Sequence, residues 1–474
     1  MPLCRFATDG TAQTAEPVCA ADRARGPEAD RANGDGGGPG RGANYAGAVT
    51  CEPLTPVDRD LPEIVRTAPG LRPDAVGAPS LAELTTLRVG GPADRYVEAH
   101  SEAELLETVQ AADDAGEPLL VIGGGSNLLV GDEGFGGVVV RDLRRGITVD
   151  AEDSCGGASF HAPAGQDWDE LVARAVAEEW VGVEALSGIP GTVGAAPVQN
   201  IGAYGQEVAG VISTVRVWDR RRSRVRTLAL GELAFGYRTS LLKRSMHAAV
   251  SGDDEADGPW YPSPRYVVLD VGFQSRLGSL SAPVAYPELA RTLGVQVGDR
   301  APSADVRDAV LALRARKGML LDGVGPDVAP ESPDGAVPGE TGPDHDRWSA
   351  GSFFTNPVVP AEQADLLPAE APRYPVRSAT PSRTTGPSLG EVDPTLVKTS
   401  AAWLIEHAGF TKGFGVHGPS SLARLSTRHT LALTNRGGAS AEDLVELARA
   451  VRDGVREAFG VDLVPEPVLV GVSL

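Results

Sequence analysis

From Leu81 onward the apolar and polar positions set out a dense succession of strands and helices. Arg95–His100 alternates as a half-buried strand does. Ser101 and Glu104 make a capping box, which predicts a helix through Leu105, Leu106, Val109 and Ala112 that stops at Gly116. Pro118–Ile122 then reads as a short buried strand running into Gly123, Gly124, Gly125, Ser126 and Asn127. Apolar residues at helical spacing predict three more helices: Asp167–Trp180, Ser303–Lys317, and Ser440–Phe459 with Gly460 as its stop.

Elsewhere the pattern lapses. Residues 1–78 are rich in Gly, Ala, Pro, Arg and Asp and have no sustained apolar period, so a disordered tail is expected. Three further stretches, 246–264, 322–347 and about 362–393, read as surface insertions, the second as a flexible loop.

Composition narrows the function classes. The chain has 474 residues, room for about three domains at ordinary domain size. With 64 acidic against 43 basic side chains its formal net charge is −21, which argues against nucleic acid or an anionic membrane as partner. Any anionic ligand must therefore be met by locally placed cations or by backbone N–H groups. No apolar run reaches the ~18 residues of a membrane span. No continuous apolar leader follows Arg5, and Cys4, Cys19, Cys51 and Cys155 fit neither a zinc pattern nor a disulfide framework. A cytoplasmic protein without a metal site is the expectation.

Two glycine-rich segments stand out. The first, Gly123–Asn127, follows a strand where a dinucleotide fingerprint would sit, but the third glycine of G-x-G-x-x-G is missing and no helix begins there. A Walker loop is excluded too, since no Gly-Lys pair occurs. The second runs from Ser187 to Gly205, with glycines at 188, 191, 194, 202 and 205 among small residues and prolines. Such a run lets backbone N–H groups approach an anion unobstructed. The pair of segments suits a dinucleotide held across two subdomains.

Candidate chemistry centres on Ala350-Gly-Ser-Phe-Phe-Thr-Asn-Pro357. Ser352 lacks the G-x-S-x-G setting of a hydrolase nucleophile, yet a hydroxyl beside aromatics can give a proton to a strongly basic carbanion. On spacing alone, a serine completing a turn is the better reading. Arg314 and Lys317 share a helix face near its end, where they can simply complement the helix dipole. Taken singly, Arg238 reads as a salt-bridging arginine and Glu466, between Pro465 and Pro467, as a carboxylate facing water.

Together the segments resemble one family, the UDP-N-acetylenolpyruvoylglucosamine reductases (MurB). The matching motifs are Thr86-Leu-Arg-Val-Gly-Gly91, Gly123–Val130, Gly188–Gly194 with Gln199–Gly205, Phe235-Gly-Tyr-Arg238, Ala350–Pro357 and Lys398–Ile405, in family order from about residue 81 to 474. The resemblance implies an α+β fold: a vanillyl-alcohol-oxidase-type FAD-binding fold of two subdomains plus a C-terminal α+β substrate-binding domain. The expected layout is subdomain 1 at 79–145 with a C-terminal strand from 466–474, subdomain 2 at 146–320, an insertion at 321–347 and the substrate domain at 348–465. It implies noncovalent FAD, NADPH as hydride donor, UDP-N-acetylglucosamine enolpyruvate as substrate, and a role in peptidoglycan precursor synthesis and so in cell shape and division. A monomer is expected.

By the same resemblance Gly123, Gly124, Gly125, Ser126, Asn127, Gly188, Ile189, Pro190, Gly191, Gly194, Ala195, Asn200, Gly202, Ala203 and Tyr204 would hold FAD. Ser352 would protonate the enolate-like centre, and Arg238 and Glu466 would bind and polarise the substrate carboxylate. Glu466 can help only if it is protonated or oriented by a cation, because a bare carboxylate repels an enolate. Tyr286, Arg314, Lys317, Asn356, Lys398 and His429 match positions that contact the nucleotide parts of substrate or NADPH; some family members carry glutamine in place of His429. The alternatives are a flavin-dependent sugar or alcohol oxidase of the same fold and a noncatalytic nucleotide-sugar-binding protein.

Overall fold

The computed structural model describes residues 79–247, 260–321, 323–324, 343–377 and 391–474. The expected tail, and the larger part of the expected insertion at 322–347, lie outside the described residues.

The first layer is built from β1 (Ala93–Ala99), α1 (Glu102–Ala115), β2 (Leu119–Ile122), β3 (Leu128–Val130) and β4 (Phe135–Asp142). The capping box forms as its sequence predicts: Ser101 Oγ accepts from the Glu104 N–H at 3.2 Å, and the Glu104 carboxylate accepts from the Ser101 N–H at 3.1 Å. Gly116 ends α1 in the left-handed conformation, at φ 66°. Leu105, Val109 and Ala112, spaced along one helix face, pack on Val138 and Val140. β1 and β2 both pair in parallel with β4. The first glycine segment therefore leaves the carboxyl end of a parallel strand, where open α/β sheets bind ligands.

A second, largely antiparallel sheet follows. Its strands are β5 (Thr148–Asp153), β6 (Gly157–Pro163), β7 (Ile212–Asp219), β8 (Arg224–Ala229) and β9 (Tyr266–Leu277), in the order β8-β7-β9-β6-β5, with Trp180–Val181 joining β9. Helix α2 (Trp168–Ala177) covers it, its end capped by Asp167, which accepts from the Glu170 N–H. The helix stops three residues short of the predicted Trp180, because Glu179 turns to φ 57° and Trp180 enters the sheet, stacked 4.2 Å from Phe160. The indole gains a buried aromatic partner that a further helical turn could not offer.

Three helices close this half: α3 (Leu241–Arg244), α4 (Pro287–Leu293) and α5 (Ser303–Arg316). The chain then forms β10 (Val358–Pro360), β11 (Tyr374–Arg377) and β12 (Val392–Lys398), an antiparallel sheet ordered β10-β12-β11. Here the expectation of a surface insertion over 362–393 needs correcting. Its described part supplies β11 and buries Leu367 and Ala371 in the C-terminal core. Met246, in the first expected insertion, is likewise buried. Prolines and charges had masked these short apolar anchors.

Helix α6 (Ala401–His407), a small hairpin of β13 (Ala423–Leu425) and β14 (Leu433–Asn435), and the long α7 (Ala441–Phe459) complete the C-terminal core. Along α7, Leu444, Val445, Leu447, Ala448, Val451 and Val455 are fully buried. Each of its large apolar side chains contributes about 1.5–3 kcal/mol by leaving water. Beyond α7 the chain returns to the first layer, where β14's successor β15 (Val468–Val470) pairs in parallel with β3. That return sets Glu466 beside the first glycine segment.

Candidate active site

The two glycine-rich segments meet face to face. A Cβ built on Gly124 would lie 2.7 Å from the Cα of Gly191, and one on Gly123 would lie 2.6 Å from Thr192 Oγ1. Neither position has room for a larger residue. Ser126 Oγ donates to the Pro190 carbonyl at 2.8 Å, and the Asn127 amide donates to Gln199 Oε1 at 2.6 Å, so side chains as well as main chain join the segments. They form one wall of a cavity of about 440 Å³.

Most residues singled out from the sequence line this cavity. Gly123, Gly124, Gly125, Ser126, Asn127, Ile189, Pro190, Gly191, Gly194, Ala195, Gly202, Ala203 and Tyr204 do, as do Arg238, Tyr286, Arg314, Lys317, Ser352, His429 and Glu466. Four do not belong to its lining. Gly188 backs Arg314, whose Nε donates to its carbonyl at 3.1 Å. Asn200 is buried, its amide spent on Glu207 and the Gly236 carbonyl. Asn356 Oδ1 accepts from the Ala401 N–H at the start of α6, and Lys398 stands over the Tyr237 ring, 4.5 Å from its centroid.

Ser352 and Glu466 are held by one piece of backbone pairing. Phe353 and Phe354 are buried, which anchors the serine segment. The Phe353 carbonyl accepts from the Glu466 N–H at 2.8 Å, and the Val464 carbonyl accepts from the Thr355 N–H at 3.0 Å. Glu466 is only 9% exposed, so the water-facing carboxylate expected from its flanking prolines is corrected. The strand β15 draws it inward. Burial pushes its carboxyl above the usual range, opposed by Arg238, Lys243 and a hydrogen bond from Gln199.

Arg238 has a left-handed backbone at φ 53°, uncommon for a side chain of this kind and frequent at functional sites. One guanidinium nitrogen donates to the Gly202 carbonyl at 2.8 Å. Its Nε lies 3.2 Å from Glu466 Oε1, but that N–H is aligned on no acceptor, so the contact is ionic and not a hydrogen bond.

The remaining candidates line the same cavity. Arg314 is buried, and its guanidinium also donates to the Met319 carbonyl at 2.9 Å. Lys317 caps α5, pairs with Glu288 at 2.6 Å and stands 5.5 Å from the Tyr204 ring centroid. Tyr204 and Tyr286 meet edge to face at 5.5 Å, and burial pushes the Tyr204 phenol up to about 12. Burial, with Lys317 and Lys412 nearby, pushes His429 down to about 4. Its Nδ1 accepts from the Leu431 N–H at 3.0 Å, so a neutral ring carries its proton on Nε2.

Sequence reasoning passed over Lys243 and Gln199, which both line the cavity beside Glu466. Lys243 Nζ is 3.4 Å from Gln199 Oε1 and 3.3 Å from the Glu466 carbonyl. The signal for Lys243 was its place on the short helix that follows Arg238, with Ser240 as that helix's N-cap. Counting charges, Arg238, Lys243, Arg314, Lys317 and Arg347 face Asp142 and Glu466 around the cavity. An acidic chain thus keeps a basic pocket.

Comparison with known proteins decides what this pocket belongs to. Residues 93–227 match the family model described as an FAD binding domain, and residues 343–470 match that of the UDP-N-acetylenolpyruvoylglucosamine reductase C-terminal domain. The UDP-N-acetylenolpyruvoylglucosamine reductase of Cutibacterium acnes is 49% identical over 394 residues, which cover 83% of this chain and 90% of that protein. This chain belongs to the UDP-N-acetylenolpyruvoylglucosamine reductase family. The reductase of Thermobifida fusca is 47% identical, with 83% of this chain and 97% of the relative covered. A crystal structure of the Thermus caldophilus reductase aligns over 83% of this chain and 97% of its own, at 24% identity and a TM-score of 0.46. The family's α+β architecture, an FAD-binding domain followed by a reductase C-terminal domain, accounts for the two glycine segments and for the cavity they wall. Among the described residues no helix is long and apolar enough to cross a membrane.

Proposed function

We propose that NADPH supplies the electrons and Ser352 the proton for the reaction that family membership assigns to this chain, the FAD-dependent reduction of UDP-N-acetylglucosamine enolpyruvate to UDP-N-acetylmuramate. The observation that carries this reading is the backbone pairing that brings the Ser352 segment and Glu466 to one cavity, with Arg238 against the carboxylate.

The cavity suits the cofactor. A Cβ on Gly124 would meet the Gly191 main chain, and Gly191 holds a φ of 136° that side chains rarely adopt, so main chain is what they offer to a ligand. Gly123–Asn127 and the stretch Ile189–Tyr204 would hold FAD. When bound, FAD supplies two-electron chemistry, taking hydride equivalents from NADPH and giving them to the enolpyruvyl methylene carbon.

The chain's own residues then manage the charge and the proton. Hydride addition to the methylene carbon leaves negative charge on the carbon bearing the ether oxygen and on its carboxylate. Arg238, fixed by Gly202, is a preorganised cation for that charge. Ser352 Oγ gives its proton to the ether-bearing carbon, completing a lactyl ether, and regains one from solvent. Glu466 assists by donating a hydrogen bond from its protonated form, which its burial favours. Tyr286, Arg314, Lys317 and His429 would receive the nucleotide and diphosphate, while Lys398 and Asn356 would act from outside the lining. We place the reaction in the cytoplasm, in a monomeric enzyme serving cell-wall synthesis and through it cell shape and division.

The test is spectroscopic. The purified protein is expected to show an oxidised flavin spectrum, to bleach on anaerobic NADPH, and to recover it when the enolpyruvyl nucleotide sugar is added. Failure of NADPH to bleach a flavin-loaded sample, or failure of the enolpyruvyl sugar to restore it, would overturn the proposal.

A further inference from the structure

The carboxyl of Glu466 has two oxygens in different surroundings. Oε1 accepts from the Gln199 amide at 3.0 Å and has Arg238 Nε at 3.2 Å. No hydrogen bond reaches Oε2 from the described residues, and Glu466 lines the cavity. Two cationic or N–H groups on Oε1 make it the acceptor oxygen, so a proton on this carboxyl belongs on Oε2.

The orientation of the Gln199 amide is itself determined. Its Oε1 lies 2.6 Å from the Asn127 amide nitrogen and 3.4 Å from Lys243 Nζ. An ammonium can only donate, so the glutamine must turn its oxygen toward Lys243 and its N–H toward Glu466. Lys243 also reaches the Glu466 main-chain carbonyl at 3.3 Å, and the Asn127 amide lies at the same distance from that carbonyl. Asn127, Gln199 and Lys243 therefore grip both the backbone and one carboxyl oxygen of Glu466.

We propose that Gln199 and Lys243 are positioning residues for Glu466, holding Oε1 and the main chain so that Oε2 is the oxygen presented, with its proton, to the substrate. This rests on the role given to Glu466 in the proposed function. Lys243 is well placed to serve as a fixed donor: it sits on the first turns after Arg238, its backbone N–H bonded to Ser240 Oγ. The groups that face Glu466 are the Arg238 and Lys243 cations, the Gln199 amide and, more distantly, the Tyr237 phenol.

The experiment compares the two half-reactions, flavin reduction by NADPH and flavin reoxidation by the enolpyruvyl nucleotide sugar, across pH in Gln199→Leu, Lys243→Met, Lys243→Arg and Glu466→Gln. Loss of the Gln199 hydrogen bond or of the Lys243 charge raises the Glu466 pKa, so Gln199→Leu and Lys243→Met should each move the alkaline limb of reoxidation to higher pH. Gln199→Leu should slow reoxidation by roughly 3- to 10-fold, the scale of a hydrogen bond between neutral groups, while reduction by NADPH stays near normal. Lys243→Arg should restore the limb toward wild type, and Glu466→Gln should abolish it. A protonated-carboxyl infrared band should vanish in Glu466→Gln and shift in Gln199→Leu, a readout independent of turnover. Should Gln199→Leu fail to retain flavin, the Lys243 pair gives the same readout. If Glu466→Gln removes the limb while Gln199→Leu and Lys243→Met leave it in place, the positioning role is wrong and that of Glu466 stands. If Glu466→Gln leaves rate and limb untouched, both fall.

Discussion

The main-chain N–H of Glu466 donates to the carbonyl of Phe353 at 2.8 Å, so the residue after Ser352 and the buried carboxyl are fixed by the same hydrogen bond. Such pairing sets side-chain spacing through backbone geometry, which is stiffer than any side-chain contact. It also explains how residues 114 positions apart in sequence, Ser352 and Glu466, serve one cavity.

The close approach of the two glycine segments predicts a cofactor defect. In Gly124→Ala the new methyl would lie 2.7 Å from the Gly191 Cα, a backbone atom that cannot rotate away. The segments must part, at about 1–3 kcal/mol of overpacking, which is roughly a 5- to 160-fold weaker hold on FAD if the strain falls on binding. The ratio of visible to ultraviolet absorbance in the purified variant measures it.

Much of the scaffold was legible in the sequence because it obeys local rules. The Ser101 capping box, the Gly116 and Gly460 stops and the apolar stripe of α7 each depend on residues within a few positions of one another. The end of α2 was not legible, since Trp180 leaves the helix for a ring stack with Phe160 that only the folded sheet provides. The burial of Glu466 was hidden for a similar reason: its neighbours are prolines, and what buries it is the pairing of β15 with β3. Lys243 carries no motif of its own and Gln199 only opens the Gln199–Gly205 motif, so their relevance appears only once Glu466 lies beside them. The motif resemblance found the serine and the arginine; geometry was needed for their company.

A buried ion pair in the second sheet should govern acid stability. Asp219 and Arg265 are 0% and 3% exposed, and their side chains meet at 2.8 Å. Burial alone would raise the aspartate's pKa, but the Arg265 hydrogen bonds and charge outweigh it and hold the carboxyl below its usual range. A depressed folded pKa contributes stability that is present above the unfolded value and lost as pH falls through the folded one, so the loss begins below about pH 4. Asp219→Asn removes the buried carboxylate that faces both Arg265 and Arg226 and should cost about 3–5 kcal/mol in urea unfolding at neutral pH. A variant as stable as wild type would refute this.

His429 should be a neutral donor throughout the working pH range. With its pKa pushed down to about 4, and Nδ1 occupied by the Leu431 N–H, it presents Nε2–H to the cavity. Nitrogen NMR should find one imidazole in the Nε2–H tautomer that does not titrate between about pH 5.5 and 8. Because glutamine also offers an N–H, His429→Gln should alter nucleotide affinity only a few-fold, while His429→Leu should weaken it by roughly 10-fold.

The most direct test is the split of half-reactions in Ser352→Ala. Rapid-mixing absorbance without oxygen separates flavin reduction by NADPH from reoxidation by the enolpyruvyl nucleotide sugar. Removal of a proton donor should slow reoxidation by roughly 10²–10⁴-fold and leave reduction by NADPH near the wild-type rate. Equal loss in both halves, or undiminished reoxidation, would contradict the assignment of Ser352 as the acid of this site.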